Sequence, residues 1–229
     1  MTTGVLAHPE ELGNTERVDA KGRVMGILVN GKSQIGIILI ALLALSSCGS
    51  APPVPEDNFY RLQAVYADEA ISGKPLPGTI EVERFVADGL TSERAIVFSE
   101  VGKPNQVKAY HYHFWIKPPT VMLRDELVSF LRASKISDSV VTPEMRVRAN
   151  YALTGKIKHL EQVRANGQTR TLLETEFGLR RPNDGKLLFL DSYRIENVAE
   201  DNSVAAAVDS LNTALSIIYA DFLADISKL

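Results

Sequence analysis

Cysteine is all but missing from these 229 residues: the chain has one, Cys48. A lone thiol forms no intramolecular disulfide and builds no cysteine-based zinc site. An excess of one charge is missing too. The 25 basic and 28 acidic residues leave a net charge of −3, which is not the basic footprint of a nucleic-acid binder. The apolar run at residues 35–45 has 11 residues. As a helix it is about 16 Å long, against a hydrocarbon core of about 30 Å, so it is too short to span a bilayer. There is no Gly-x-Ser-x-Gly elbow, no His-Glu-x-x-His pair, no phosphate-binding glycine loop and no catalytic cysteine, which argues against an enzyme. What is present is 45% hydrophobic and 23% charged, the composition of a chain that folds.

The position of the cysteine carries more than its number. Lys32 precedes the apolar run, and Leu45-Ser46-Ser47-Cys48-Gly49 follows it. A basic flank, a short apolar core and small residues before a cleavage point make an export signal, and Leu45–Cys48 resembles the lipobox of bacterial lipoproteins. The resemblance implies diacylglycerol on the Cys48 sulfur, cleavage before Cys48 and an N-acyl chain on its new amino group. Two or more buried acyl chains hold a protein stably on a bilayer, at roughly 0.8 kcal/mol per buried methylene. The alternative is a free cysteine buried behind a short core helix. Gly49, with no aspartate there, favours the inner leaflet of the outer membrane by analogy with Gram-negative lipoproteins. Residues 1–24 suit a signal poorly, being polar and broken by Pro9; a start at Met25 gives a 23-residue signal. The expected organisation is a signal over 1–47, a lipidated Pro-rich tether over 48–58 and one domain over 59–229.

Strand-like segments fall at Phe59–Val65, Thr79–Val86, Arg94–Ser99 and Gln106–Ile116, and again at Arg146–Lys158, Arg170–Arg180 and Lys186–Val198. In the fourth, Tyr110, Tyr112, Phe114 and Ile116 alternate onto one face, read as the packed one. Pro118-Pro119 ends it, and Thr120 is placed to cap a helix reaching Ser134 with Leu123, Leu127, Phe130 and Leu131 as its apolar stripe. Asn166-Gly167 and Asn183-Asp184-Gly185 are hairpin turns. A last helix, Ser203–Lys228, is capped by Asn202 or Ser203; its seam of Val204, Val208, Leu211, Leu215, Ile218, Phe222 and Ile226 packs across the sheet or against another copy. Strands, a helix, strands and a helix define an α+β domain. The expected form is two-layered: a largely antiparallel sheet of about six or seven strands with two helices on one face.

One cluster invites a chemical reading. His111 and His113 sit two apart, so on a strand both imidazoles share a face and could meet a metal. Zinc needs a third protein ligand, and no neighbouring pattern supplies one; the alternative is two surface histidines beside an outward Trp115. Trp115 with the Pro118-Pro119 corner is the candidate interaction surface, with packing as the competing explanation. No catalytic residue, metal or non-covalent cofactor is expected.

Several stretches together resemble a known family: Phe59-Tyr60-Arg61-Leu62, Ile80-Glu81-Val82 leading to Asp88-Gly89-Leu90, Ala95–Phe98, Tyr112–Leu123 with its tryptophan and double proline, and Tyr151–Gly155. The mature chain is similar to the ABC-type transport auxiliary lipoproteins, the group that includes the lipoprotein of the paraquat-inducible system. Phe98 stands where that family commonly has a tyrosine. The resemblance implies a docking adaptor for a mammalian-cell-entry domain substrate-binding protein, in a system moving phospholipid or other hydrophobic molecules between the two membranes, with a homo-oligomer as a possible form. A rival is an outer-membrane assembly or structural lipoprotein unconnected with transport.

Overall fold

The computed structural model describes residues 53–66, 75–165 and 167–229. Cys48 and the signal segment lie outside the described residues, as do Gly73, Lys74 and Asn166 of the expected turns. Val54–Leu229 is one compact unit.

The strands are β1 (Asn58–Tyr60), β2 (Thr79–Val82), β3 (Val86–Ala87), β4 (Ala95–Glu100), β5 (Lys103–Trp115), β6 (Ser139–Val141), β7 (Tyr151–Arg164), β8 (Arg170–Arg180) and β9 (Leu187–Val198). The helices are α1 (Pro119–Ser134) and α2 (Val204–Ile226). The 14-residue β7 organises the sheet. Along one side it pairs antiparallel with β8, which pairs antiparallel with β9. Along its other side three earlier strands lie end to end, all parallel to it: β2 at its start, β3 at its middle and β4 at its finish. β6 extends the sheet beyond β2, and β5 and then β1 extend it beyond β4. The described sheet has nine strands, more than the six or seven expected, and is mixed: the antiparallel expectation holds for β4–β5, β7–β8 and β8–β9, whereas the remaining pairs are parallel. Alternation marks a strand, but strand direction is decided by which distant segment it meets.

Both helices cover one face. On β8, Phe177 meets Phe222 of α2 at 4.6 Å and Tyr219 at 6.2 Å between ring centroids, and Tyr219 meets Phe130 of α1 at 5.6 Å. The Tyr219 hydroxyl is buried and donates to the Leu123 carbonyl at 2.6 Å, joining the two helices. The stripe Leu123, Leu127, Phe130 and Leu131 and all seven residues of the α2 seam are buried, as are Ile80, Val82 and Phe85. Each such side chain contributes roughly 1.5–3 kcal/mol.

Local boundaries differ for physical reasons. Pro118 is the N-cap of α1, not Thr120, and Pro119 opens the helix; proline has no N–H to leave unpaired at that first position. Ser203 caps α2, its hydroxyl accepting from Ala206 N at 3.1 Å. Residues 146–150 are not strand: Arg146 sits in the left-handed region at φ 54° and Val147 is exposed. The strand expected over Phe59–Val65 stops at Tyr60. Residues 61–66 leave the sheet and lie along the helices. Gln63 N donates to Asn212, Val65 N to Ser216 and Ala64 N to Glu126, at 2.9, 2.8 and 3.2 Å. Helix side chains thus replace a neighbouring strand as partners for this backbone.

One close approach supports the region between β2 and β3. The Phe85 ring lies over Gly155 of β7, and a Cβ there would stand 2.6 Å from it. Phe85 also packs on Phe177, 5.9 Å between centroids. Gly155→Ala is expected to lower stability by about 1–3 kcal/mol through overpacking, read as a lower urea midpoint with an unchanged slope; an unchanged midpoint would count against this seat.

Candidate functional site

β1 forms the edge of the sheet, and its register with β5 fixes which side chains face where: Asn58 opposite His113, Phe59 opposite Phe114, Tyr60 opposite Trp115. Side chains alternate along each strand. Trp115 points to the helix-bearing side and is 1% exposed. Tyr60 packs against the same core. Its hydroxyl and His113 Nδ1 share a hydrogen bond of 2.9 Å, and the His113 ring meets Tyr110 edge-on at 5.2 Å. Burial raises the phenol pKa of both Tyr60 and Tyr110, with Arg164 pulling partly against it at Tyr110. Phe98 stacks on Tyr110 at 4.6 Å, and Arg164 sits 5.0 Å over the Phe98 ring.

On the opposite, helix-free side, Phe59 and Phe114 meet at 5.9 Å, and alternation within β5 places Tyr112 beside them. Ile116, one residue past the end of β5, lines an open depression with Leu62 and Met122. Phe59 is 57% exposed, Tyr112 41% and Ile116 39%. The Arg94 guanidinium lies 5.6 Å from the Phe59 ring, and its Nε donates to the Trp115 carbonyl at 3.0 Å. The register pairs Phe114 with Ala95, Val97 with Ala109 and Ser99 with Val107. Val97 and Ser99 are buried, so the exposed apolar surface stays near the β1–β5 edge. Past Glu161, the same side of the sheet turns to paired charges: Lys158 with Glu176, Arg194 with Glu174, Arg170 with Glu196. The Lys158 ammonium beside Glu176 holds that carboxyl below its ordinary range. Glu161 lies at the boundary and is buried; one oxygen faces His159 Nδ1 at 3.0 Å, and the other has no hydrogen-bond partner.

The expected site residues divide. Trp115 is core, not surface, and Pro119 is buried, so only Pro118 of the three is exposed. The alternation holds for Tyr112 and Phe114, but on the open face and not the packed one; Ile116 lies past the end of β5, beside Leu62 and Met122. Tyr110 leaves the row because β5 carries extra residues between the partners of Ala95 and Val97, and such a bulge moves a side chain to the other face. Alternation says which residues share a side; α1 and α2 decide which side is sealed. His111 is exposed, and the Nδ1 of His113 is already engaged by Tyr60. Among the described residues no three His, Cys, Asp or Glu side chains form a group able to hold a metal ion. No described helix is long and apolar enough to cross a membrane.

The described depressions are open to solvent, of about 280 to 610 Å³. The largest is lined by Glu100, Val101, Arg164 and Ala165. The smallest runs beside Leu62, Ile116 and Met122. The chain belongs to the family of ABC-type transport auxiliary lipoprotein components, which it matches over residues 60–221. A crystal structure of a DUF330-family protein from Xanthomonas campestris is similar at a TM-score of 0.64 and 17% identity, over 72% of this chain and 92% of that one. A second crystal structure, of an uncharacterized protein, has a TM-score of 0.60 at 14% identity, over 75% of this chain and 99% of that one. At these identities the likeness concerns the fold. No curated protein matches the chain.

Trp115 is the only tryptophan in the sequence. Its native emission is expected to be blue-shifted and resistant to iodide, becoming quenchable on unfolding; a freely quenched native signal would return Trp115 to the surface.

Proposed function

We propose that this auxiliary lipoprotein is the membrane-tethered docking adaptor of its transport system. In this reading Cys48 carries diacylglycerol and an N-acyl chain and holds the domain at the inner leaflet of the outer membrane. The partner is the mammalian-cell-entry domain substrate-binding protein of the system, and the cargo is phospholipid or another hydrophobic molecule. The observation that carries the reading is membership of a transport-auxiliary family over most of the domain. The filled core supports it. Moving acyl chains through water is opposed by about 25 cal/mol per Å² of apolar surface, so a carrier needs an enclosed apolar chamber. The described depressions are open, which fits a part that positions a carrier better than one that is the carrier.

Two measurements test this. Native protein is expected to begin at Cys48 with the added mass of acyl chains, and Cys48→Ser to abolish that processing; an N-terminus upstream of residue 48 on the native protein would remove the anchor. Lipidated protein in mild detergent is expected to retain the mammalian-cell-entry domain protein in a pull-down. Repeated failure with correctly folded bait, confirmed by its tryptophan emission, would overturn the adaptor role.

A further inference from the structure

We infer that the aromatic face of the β1–β5 edge rests on the lipid surface itself, leaving the remainder of the domain for its protein partner. The inference rests on the anchoring at Cys48 proposed above. Phe59, Tyr112 and Ile116 are large and substantially exposed at this edge of the sheet, and Phe59 rests against Phe114. Two aromatic rings and an aliphatic side chain at a rim suit the boundary between headgroups and acyl chains, where such residues gather.

Chain length selects this occupant over others. Phe59 is 11 residues after Cys48, so a fully extended tether allows at most about 40 Å between them. The far edge, β9, lies five strand spacings from β1, a further ~24 Å. The patch is thus the apolar surface of the sheet nearest the anchor along the chain. Charge complementarity with anionic lipid is not what holds it: exposed Arg61, Arg94 and Lys117 stand against exposed Glu56 and Asp57. Contact by apolar insertion, with weak dependence on salt, is the expected mode.

The test uses full-length lipidated protein on vesicles of phosphatidylethanolamine and phosphatidylglycerol. The native cysteine is occupied by lipid, so single cysteines introduced as Phe59→Cys, Tyr112→Cys, Ile116→Cys and, on β9, Leu190→Cys each accept one fluorophore. Fluorescence at 59, 112 and 116 is expected to be quenched several-fold more by lipids bearing shallow nitroxides than fluorescence at 190, with little change on raising salt. Equal, weak quenching at all four positions while the protein floats with the vesicles overturns this inference and leaves the anchor intact. Shielding at 59 and 112 from aqueous iodide without lipid quenching, accompanied by energy transfer between copies, overturns it in favour of a second copy. Protein that fails to float and lacks acyl mass overturns the anchor and this inference together. Unchanged thermal melting of each variant establishes that folding is not the cause.

Discussion

Everything in this domain follows from one face of the sheet being sealed by two helices while the other is left open. The seal is aromatic: Phe177 is surrounded by Phe222, Tyr219 and Tyr193, and Tyr219 reaches on to Phe130. Once that side is fixed, strand alternation assigns every side chain a role. Leu173 and Leu179 go inward, the intervening Glu174 and Glu176 go outward, and the outward ones must find partners among neighbouring strands. The same rule puts Trp115 in the core and pushes Phe59 and Tyr112 to the surface. The exposed apolar patch is therefore no local irregularity. It is the price of pairing β1 to β5 in a register that buries Trp115.

The helices were legible because their signal is local. Leu123, Leu127, Phe130 and Leu131, and the seven-residue seam of α2, repeat at helical spacing whatever lies across from them. Arg170–Arg180 was legible as a strand for the same reason, bounded by turn residues on both sides. The three residues of β6, the parallel pairing of β2, β3 and β4 with β7 and the path of residues 61–66 were not. Each depends on a segment far along the chain, and alternation is the same for a parallel strand, an antiparallel strand and a strap laid on helices. Leu62 and Ala64 are buried just as they would be in a strand, yet their backbone partners are Asn212, Ser216 and Glu126.

The candidate surface was legible by half. Tyr112 and Phe114 could be grouped from spacing, whereas the side they occupy could not, because a period of two has no sign; Ile116 falls past the end of the strand. The bulge in β5 adds a second difficulty, separating Tyr110 from the row it seems to continue in the sequence. Glu161 shows the limit of spacing from another direction. Its contact with His159, two residues back on the same strand, follows from alternation, but its burial arises where β7 is flanked by Val97 and Leu172, two residues from other strands. A buried carboxylate oxygen without a partner is costly, and nothing about the order of residues around Glu161 announces it.

The shape of the β1 edge also decides what kind of contact it can make. Edge strands recruit other strands through their free backbone groups, but β1 offers only three residues. Immediately after Tyr60 the backbone turns away, and the donors of Gln63, Ala64 and Val65 are taken by α1 and α2. A ladder added here would be too short to hold a strand against its lost freedom, at roughly 1–2 kcal/mol per residue for the backbone alone. What the edge does offer is side chains: an aromatic pair and a tyrosine, with an isoleucine just past the end of β5. Such a patch is a liability on a freely diffusing protein. On a domain that belongs to a lipoprotein family it becomes usable, since a fluid apolar surface needs no hydrogen-bond register to receive it.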